Sequence, residues 1–281
     1  MDHGLAALGL ITFFAAIVNG GLGYGFSSLT VPVALLFYTN RVLNPVLVVV
    51  EVFINLYVLV INRASVPAVW PRIYPILIGL LPGVVLGSWV LSSVHPGWLK
   101  FVVYVLLLPM IFLQIIGLRR PIQSEKLFGL PFGAGLGFLY SVTTISGPPL
   151  AVMFNNQGLV KQEFRAALGV IRLAESSLTA IAYYHLGLFV AQALPLFYLT
   201  AASVLVGIPL GAWLIKRVDA DTFRRLCMSF DAWIVAFGLS RVLLELKLAT
   251  TVLAYWPVAA CVACDLALLA HFFSRRRKGL T

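Results

Sequence analysis

Long uncharged apolar stretches constrain the fold of this chain more than any other feature. A helix that spans a membrane needs about 20 predominantly apolar residues, and seven stretches of the 281-residue sequence clearly meet that condition. They are roughly residues 42–61, 73–94, 99–117, 164–186, 193–216, 223–240 and 249–273. Only 11% of the residues are charged, against about 25% in a typical soluble domain. A water-soluble globular fold is therefore excluded, and the pattern indicates a polytopic membrane protein.

Two further apolar stretches, roughly 4–39 and 127–155, are interrupted by glycine, proline and small polar residues. In the first, each glycine weakens a helix by about 1 kcal/mol relative to alanine, and we expect Ser27 or Ser28 to cap a new helix. In the second, a helix that starts near Ser146 tolerates the two prolines that follow, because its first N–H groups have no partner within the helix. Each stretch is long enough to form a broken helix or a re-entrant hairpin.

The interrupted stretches and the spans that follow them repeat within the chain. A shift of 117 residues lays residues 32–37 on residues 149–154, and a shift of 124 residues lays two glycines and a tryptophan on their counterparts. These matched residues are Gly83, Gly87 and Trp89 in the first half, and Gly207, Gly211 and Trp213 in the second. Weak internal symmetry of this kind is common in secondary transporters, where broken helices occupy equivalent positions in two halves.

We therefore expect an all-α polytopic membrane protein with two inverted repeats. Each repeat has an interrupted helix pair, broken or re-entrant, followed by three transmembrane helices. Residues 1–126 form the N-terminal repeat and residues 127–246 the C-terminal inverted repeat in this interpretation. Residues 247–281 add one extra transmembrane helix and a basic cytoplasmic tail.

The basic residues predict how the repeats are oriented, because Lys and Arg in short loops mark the cytoplasmic side of a membrane. If both interrupted stretches enter and leave on the same side, all five basic clusters are cytoplasmic and the two halves are inverted. The N-terminus then lies outside and the C-terminus in the cytoplasm. The clusters are Arg63 with Arg72; Arg119, Arg120 and Lys126; Lys161 with Arg165; Lys216, Arg217, Arg224 and Arg225; and Arg275, Arg276, Arg277 and Lys278.

Three basic residues, Arg41, Arg241 and Lys247, are exceptions to this assignment. If the second interrupted stretch crossed the membrane instead, keeping Lys161 and Arg165 inside would put the cluster around Arg119 outside. The net charge of +10 sits mostly in short clusters between apolar stretches. It therefore indicates an orientation signal and attraction to anionic lipid, not nucleic-acid binding.

The two interruptions are also the best candidates for a binding site. Broken backbone at membrane depth persists only where it lines a cavity or is buried in protein. Two helix N-termini with hydroxyls nearby, one from each half, would bind an anion, because free N–H groups and the positive ends of helix dipoles face the ligand. The alternative is that glycine and serine only permit tight helix packing. The residues predicted to bind substrate are Tyr24, Ser27, Ser28, Thr30, Asn55, Thr143, Thr144, Ser146, Gly147 and Arg172.

At these interruptions the sequence resembles the TauE/SafE sulfite-exporter family of bacterial membrane transporters. The resemblance rests on two copies of a turn that runs into a proline-containing apolar helix, and it covers roughly residues 5–270. The copies are Gly23-Tyr24-Gly25-Phe26-Ser27 up to Pro32, and Ser146-Gly147-Pro148-Pro149. In the first copy Phe26 and Ser27 replace glycines of the family pattern. The resemblance implies export of sulfite, or of small organosulfur anions such as sulfoacetate, across the bacterial inner membrane.

Ionisable residues well inside the predicted spans are further candidates, since each charge there costs about 2.5 to 3.5 kcal/mol on insertion scales. Arg172, the only cation predicted to lie well inside a span, has a planar guanidinium that suits a sulfonate or sulfite oxygen pair. The 117-residue shift lays Arg172 on Asn55, one helical turn after Glu51. Alternatively, Arg172 pairs with Glu51 or Glu175 and only ties helices together. Glu51, Glu175 and Asp231 are candidates for proton coupling or charge pairing.

A secondary transporter that exports small anions by alternating access accounts best for these features. The alternatives are an anion channel or an importer of another small organic anion. Neither a Walker A pattern nor an H-E-x-x-H pattern occurs in the sequence, so we predict no enzyme, no cofactor and no metal site. The expected partners are a small anionic substrate and the lipid bilayer, without nucleic acid. A small-residue face at Gly83 and Gly87 permits a homodimer.

Overall fold

A computed structural model of the chain describes residues 3–116, 125–156, 159–217 and 219–277. The described part is helical throughout, joined by short turns and without a strand. The predicted basic residues Arg119 and Arg120 lie outside the described residues. The helices are α1 (His3–Leu22), α2 (Phe26–Ala34), α3 (Asn40–Asn62), α4 (Val66–Ser93), α5 (Pro96–Ile116), α6 (Glu125–Thr143), α7 (Gly147–Asn156), α8 (Lys161–His185), α9 (Leu194–Leu214), α10 (Ala220–Glu245) and α11 (Trp256–Arg277).

The predicted multi-pass membrane architecture is confirmed at the level of its helices. Seven stretches of the described residues are long and apolar enough to cross a membrane, and one of them, Asn40–Ser93, contains both α3 and α4. Helix α4 starts at Val66, earlier than predicted. Pro67 does not prevent this start, because proline is tolerated at the first two positions of a helix. Helix α11 starts later than predicted, because the chain before it forms turns up to Tyr255.

Glycines allow two pairs of helices to pack with their backbones in close contact. A Cβ atom at Gly83 of α4 would lie 2.0 Å from the Ala134 carbonyl oxygen of α6. A Cβ atom at Gly211 of α9 would lie 1.9 Å from the Ile17 carbonyl oxygen of α1. Gly83 and Gly87 are therefore buried within the chain, so the prediction that they offer a dimer surface is wrong. Small residues serve this close approach in membrane helices generally.

Helix α6 offers a matched test of this packing, since a Cβ atom at Gly133 would lie 2.2 Å from the Ile76 carbonyl oxygen, whereas one at Gly135 would meet no atom within 4 Å. We expect Gly133→Ala to destabilise the protein by about 1 to 3 kcal/mol through overpacking. Gly135→Ala should be neutral or slightly stabilising, because alanine favours the helix. Thermal unfolding of both variants in detergent measures the difference. Equal melting temperatures would contradict close packing of α4 on α6.

The direction of α1 shows that α2 runs back across part of the fold. Helix α1 begins beside the turn before α3, where a Cβ atom at Gly4 would lie 3.3 Å from the Cβ atom of Phe37. It ends beside the start of α8, where Arg165 donates a 3.1 Å hydrogen bond to the Gly21 carbonyl oxygen. Because the end of α3 also lies beside the start of α8, at Leu59, α1 and α3 run in the same direction. Helix α2 and the turn after it must therefore return along α1.

Helices α6 and α7 have the corresponding arrangement at the other end of the molecule. Helix α6 runs parallel to α4, because Gly129 packs on Pro75 and Gly87 packs on Ser141. It ends beside the start of α3, where Asn44 donates a 2.8 Å hydrogen bond to the Val142 carbonyl oxygen. Helix α8 begins at the opposite end of the molecule, so α7 returns along α6.

The last carbonyl groups of α1 and α6 are bound by side chains at the same position of two different helices. Arg165 is the fifth residue of α8 and binds Gly21, whereas Asn44 is the fifth residue of α3 and binds Val142. Carbonyl groups at a helix end have no partner within the helix. Each hairpin is therefore closed by a donor from the first turns of the long helix that follows the other hairpin.

A buried ion pair fixes α11 against α10. The Arg225 guanidinium lies 2.7 Å from Asp265 Oδ1, with both side chains almost fully buried. Arg225 also donates to Ser229 at 2.7 Å, and the Trp233 indole donates to Asp265 Oδ2 at 3.0 Å. Arg225, which the sequence grouped with cytoplasmic basic residues, is therefore buried and paired within the first turns of α10. Its charge is compensated by a partner 40 residues away, which spacing alone does not reveal.

Candidate functional site

Glycine backbone conformations make the break between α1 and α2. Gly23 and Gly25 have φ values of 85° and 103°, which side chains with a Cβ atom rarely adopt. Gly25 precedes the first residue of α2, and no side chain caps that helix. The prediction that Ser27 or Ser28 caps α2 is therefore wrong. Both hydroxyls donate elsewhere, because they already lie within the first turn.

The break between α6 and α7 uses a threonine where the first break uses glycine. Thr144 has a φ of 57° and lies three residues before its helix, as Gly23 does before α2. A β-branched residue in this conformation costs on the order of 1 to 3 kcal/mol. The Thr143 hydroxyl supports the turn by accepting a 2.9 Å hydrogen bond from the Ile145 N–H group. The prolines of α7 follow Gly147 in its first turn, as predicted.

The carboxylate of Glu51, fully buried at the middle of α3, accepts hydrogen bonds from side chains of three other helices. The Ser27 hydroxyl of α2 donates to Oε1 at 2.5 Å, and the Tyr140 hydroxyl of α6 donates to Oε2 at 2.6 Å. The Arg172 guanidinium of α8 donates to Oε1 at 2.8 Å. Glu51 and Arg172 are 0% and 3% exposed, so this ion pair is shielded from solvent. We call Ser27, Glu51, Tyr140 and Arg172, with Ser146 and Glu175, the central cluster.

Arg172 and Glu51 lie equally far from the starts of their helices. Each is the twelfth residue, counted from Lys161 in α8 and from Asn40 in α3. The predicted alignment of Arg172 with Asn55 at a shift of 117 residues stays a prediction. The observed partner of Arg172 is Glu51, one helical turn before Asn55.

The second buried carboxylate, Glu175, has a serine donor of its own. The Ser146 hydroxyl, just before α7, donates to Glu175 Oε2 at 2.5 Å. A serine next to the first break, Ser27, thus binds Glu51, and a serine in the second break, Ser146, binds Glu175. These two glutamates lie 124 residues apart, which is the shift that also aligns the packing glycines. Each break is bound to the long helix that follows it by the same kind of contact.

Several polar atoms around this cluster are buried and have no hydrogen-bond partner. They include two donors, Arg172 Nε and Asn55 Nδ2, and the acceptor Glu175 Oε1. The Thr30 hydroxyl of α2 is also buried and without a partner. Buried polar groups are nearly always hydrogen-bonded, and each exception calls for an explanation such as an unfilled ligand position. The two free donors, one of them on the Arg172 guanidinium, could donate hydrogen bonds to a bound anion.

The remaining predicted residues lie around the breaks in several roles. Tyr24 lies against Gly147, where its ring would approach a Cβ atom within 3.8 Å, so the two breaks meet. Asp231 of α10 is buried and lies beside the Ser28 hydroxyl. The Thr144 hydroxyl donates to the Thr143 carbonyl oxygen at 2.7 Å, within the break itself.

Two further contributors to the site were not among the predicted binding residues. Tyr140 binds Glu51 directly, and Tyr183 of α8 donates to the Ser141 carbonyl oxygen at the end of α6. Tyr140 opens the polar run of the second interrupted stretch, so its position before Ser141 was a usable signal. Tyr183 stands in an aromatic pair near the predicted end of its span, where tyrosines are common anyway, so the sequence offered no comparable signal.

The arrangement could hold a small anion if that anion replaced the Glu51 carboxylate as the partner of Arg172. Arg172 presents one nitrogen to Glu51 and keeps Nε free. A planar guanidinium binds two oxygens of a carboxylate or sulfonate in parallel. The start of α2 and the start of α7 lie on either side of Tyr24 and Gly147, and helix N-termini favour anions. The site thus combines one cation, free donors and two helix ends.

Comparison with protein families identifies one match. A family model described as "Sulfite exporter TauE/SafE" matches residues 8–237. The matched segment contains both breaks, the central cluster and the first ten helices up to the last turns of α10. No curated protein and no solved structure matches the chain.

Proposed function

Because the chain belongs to the TauE/SafE sulfite-exporter family, we propose that it is a secondary transporter that exports sulfite or C2 organosulfonates such as sulfoacetate by alternating access. Membership in a family of multi-pass membrane exporters of small anions agrees with the resemblance seen in the sequence and with a non-enzymatic role. The observation that carries the proposal is Arg172, which is buried and paired with Glu51 but retains an unpartnered nitrogen where the two breaks meet. We further propose the bacterial inner membrane as its location.

The proposed anion binds Arg172 in place of Glu51. Arg172 Nε and Asn55 Nδ2 are the free donors that would complete the shell of the anion. The Ser27 hydroxyl, which now donates to Glu51, would turn to the anion when the carboxylate leaves. Hydrogen bonds to charged groups each contribute about 1.5 to 3 kcal/mol. These values already count the hydrogen bonds given up to water, so two or three such bonds would favour binding of the anion.

The two halves of the proposed transporter are inverted repeats, residues 1–126 and 127–246, with residues 247–281 as an addition. Reciprocal packing supports this proposal: α1 packs on α9 as α6 packs on α4, and the close contacts involve the glycines aligned in the sequence. Corresponding helices α3 and α8 run antiparallel, since Leu59 meets Gly169 and Glu51 meets Arg172. The return of α2 and α7 supports interrupted stretches that enter and leave on the same side of the membrane, with α1 itself long enough to cross it.

The proposed orientation follows from these directions and from the basic residues. Lys161 and Arg165 at the start of α8 and Arg63 after α3 lie at one end of the bundle, which the positive-inside rule makes cytoplasmic. The N-terminus then lies outside and the C-terminus, after α11, in the cytoplasm. The first break opens nearer the cytoplasm and the second nearer the outside. Movement of one hairpin at a time would expose the central cluster to alternate sides.

Glu51 and Glu175 are the proposed proton carriers, with Asp231 as a further candidate for charge pairing. When both glutamates of the central cluster are ionised, one guanidinium faces two carboxylates, which leaves a net negative charge in a buried site. Protonation of one carboxylate makes the cluster neutral. An anion that binds adds a negative charge, so its binding favours uptake of another proton. Intramembrane carboxylates serve as proton relays in many transporters.

Flux measurements on the purified protein in liposomes test the proposal. We expect wild type to move sulfite, sulfoacetate or both, with a flux that saturates with concentration and with counterflow of labelled anion. Flux that rises linearly without counterflow indicates an anion channel, the alternative mechanism. Transport of carboxylates but neither sulfur anion indicates an importer or exporter of another organic anion. If wild type moves no anion, the proposed substrate class is wrong.

A further inference from the structure

A second site of basic residues lies away from the central cluster, in a cavity of about 460 Å³ between α5, α10 and the turn after α2. We call it the α5–α10 cavity. Its lining includes Lys100 of α5, Arg241 and Glu245 of α10, and Leu35 of the turn. In the proposed orientation it opens at the outer side of the membrane.

Arg241 was one of three basic residues that break the predicted charge distribution, and the structure gives the other two a local role. Arg41 donates to the Leu91 and Val94 carbonyl oxygens at the end of α4, both at 2.9 Å. Lys247 forms the left-handed turn after α10, with a φ of 55°. Arg241 has no hydrogen bond or ion pair with another described residue, and neither has Lys100. Within the described residues, the half-buried Lys100 and the exposed Arg241 thus share one open cavity without a hydrogen-bonded partner.

The floor of the cavity is connected to the central cluster through α2. Tyr104 lines the cavity and donates a 3.0 Å hydrogen bond to the Pro32 carbonyl oxygen of α2. Gly238 makes room for this ring, since a Cβ atom there would lie 2.3 Å from it. Ser27, which binds Glu51, is five residues before Pro32 on the same helix, or about 8 Å along its axis.

We propose that the α5–α10 cavity is a second oxyanion site, with Lys100 and Arg241 as its ligands. Its occupant is either the transported anion beside the path to the central cluster or the phosphate of a lipid headgroup. In the first form the inference rests on the proposed function, whereas in the second it does not. Guanidinium and ammonium groups together bind sulfur and phosphorus oxyanions. Glu245 opposes the anion, so the site is weak and easily vacated.

Binding experiments on the purified full-length protein in detergent test this site without any transport step. The cavity variant is Lys100→Gln/Arg241→Gln, and the control is Arg63→Gln/Lys247→Gln, which removes the same charge outside the cavity. Both are made with Arg172→Gln/Glu51→Gln, which removes the central cation together with its ion-pair partner. We expect radiolabelled sulfite or inorganic phosphate to bind the control and to bind the cavity variant about tenfold more weakly.

A second measurement distinguishes the two occupants. Native mass spectrometry after addition of phosphatidylglycerol should show a bound lipid that the cavity variant loses if the site takes a headgroup. If it takes the transported anion, lipid binding is equal in both and only sulfite binding falls. Glu245→Gln should strengthen whichever ligand binds by several-fold. The inference is overturned if cavity variant and control are indistinguishable with sulfite, phosphate and lipid, whereas failure of transport with intact cavity binding overturns the proposed function alone.

Discussion

Replacing Arg172 by glutamine is expected to lower anion flux by about 100-fold, because the transported anion loses its only cation in the central cluster. The same change removes the partner of Glu51, which is 0% exposed. Removal of one partner from a buried ion pair costs about 3 to 5 kcal/mol. The single variant should therefore also melt at a lower temperature, and flux in liposomes must be normalised to folded protein.

The double variant Arg172→Gln/Glu51→Gln separates the two effects. It removes both members of the ion pair, and the glutamine at position 51 keeps one acceptor oxygen for Ser27 while its NH2 group can donate to the Tyr140 oxygen. We expect it to recover most of the thermal stability and none of the transport. Arg217→Gln, at the surface where Arg217 stacks on Trp213, is the matched loss of a cation and should transport normally. Normal flux in the double variant would mean that Arg172 only ties α3 to α8.

Glu175→Gln is expected to uncouple transport from a proton gradient while sparing exchange. Glutamine preserves volume and can still accept the 2.5 Å hydrogen bond from Ser146, but it cannot carry a proton. In liposomes with an imposed pH gradient, accumulation of the transported anion should fall about tenfold or more, while counterflow without a gradient stays near the wild-type rate. Sulfoacetate is the better substrate for this test if wild type moves it, because its charge is constant near neutral pH.

Two other carboxylates control this experiment. Glu163→Gln changes a residue in the first turn of α8 that caps its own helix and should affect neither measurement. Glu51→Gln removes the partner of Arg172 and should reduce both accumulation and counterflow. If Glu175→Gln lowers counterflow as much as accumulation, Glu175 supports the fold or the site and carries no coupling proton.

The sequence predicted the helices well for a physical reason. A segment that crosses a membrane must satisfy its backbone hydrogen bonds internally and must be apolar over the width of the bilayer, so runs of apolar residues reveal its length. Each of the seven predicted spans coincides with a helix over most of its length, and the prolines of α7 fall in its first turn. Helix boundaries near the membrane surface were less certain, since helices such as α4 continue beyond the apolar residues that define a span.

The contacts of the site were only partly accessible. Intramembrane charge singled out Arg172, Glu51 and Glu175, because burying an ionisable group demands a reason. Their partners depend on how helices pack, so the sequence offered both Glu51 and Glu175 as partners of Arg172 and could not choose between them. Ser27 looked like a helix cap because serine favours that position, but two residues of displacement direct its hydroxyl to a carboxylate instead.

The ion pair between Arg225 and Asp265 gives the order of synthesis a role in assembly. Helix α10 leaves the ribosome before α11, so Arg225 reaches the membrane while its counter-charge is still unmade. A lone arginine within a span opposes insertion by about 2.5 to 3.5 kcal/mol at mid-helix, and less near an end. We therefore expect α10 to stay shallow or reversible in the translocon until α11 delivers Asp265. Helix α11, which lies beyond the family match, would therefore complete the insertion of α10.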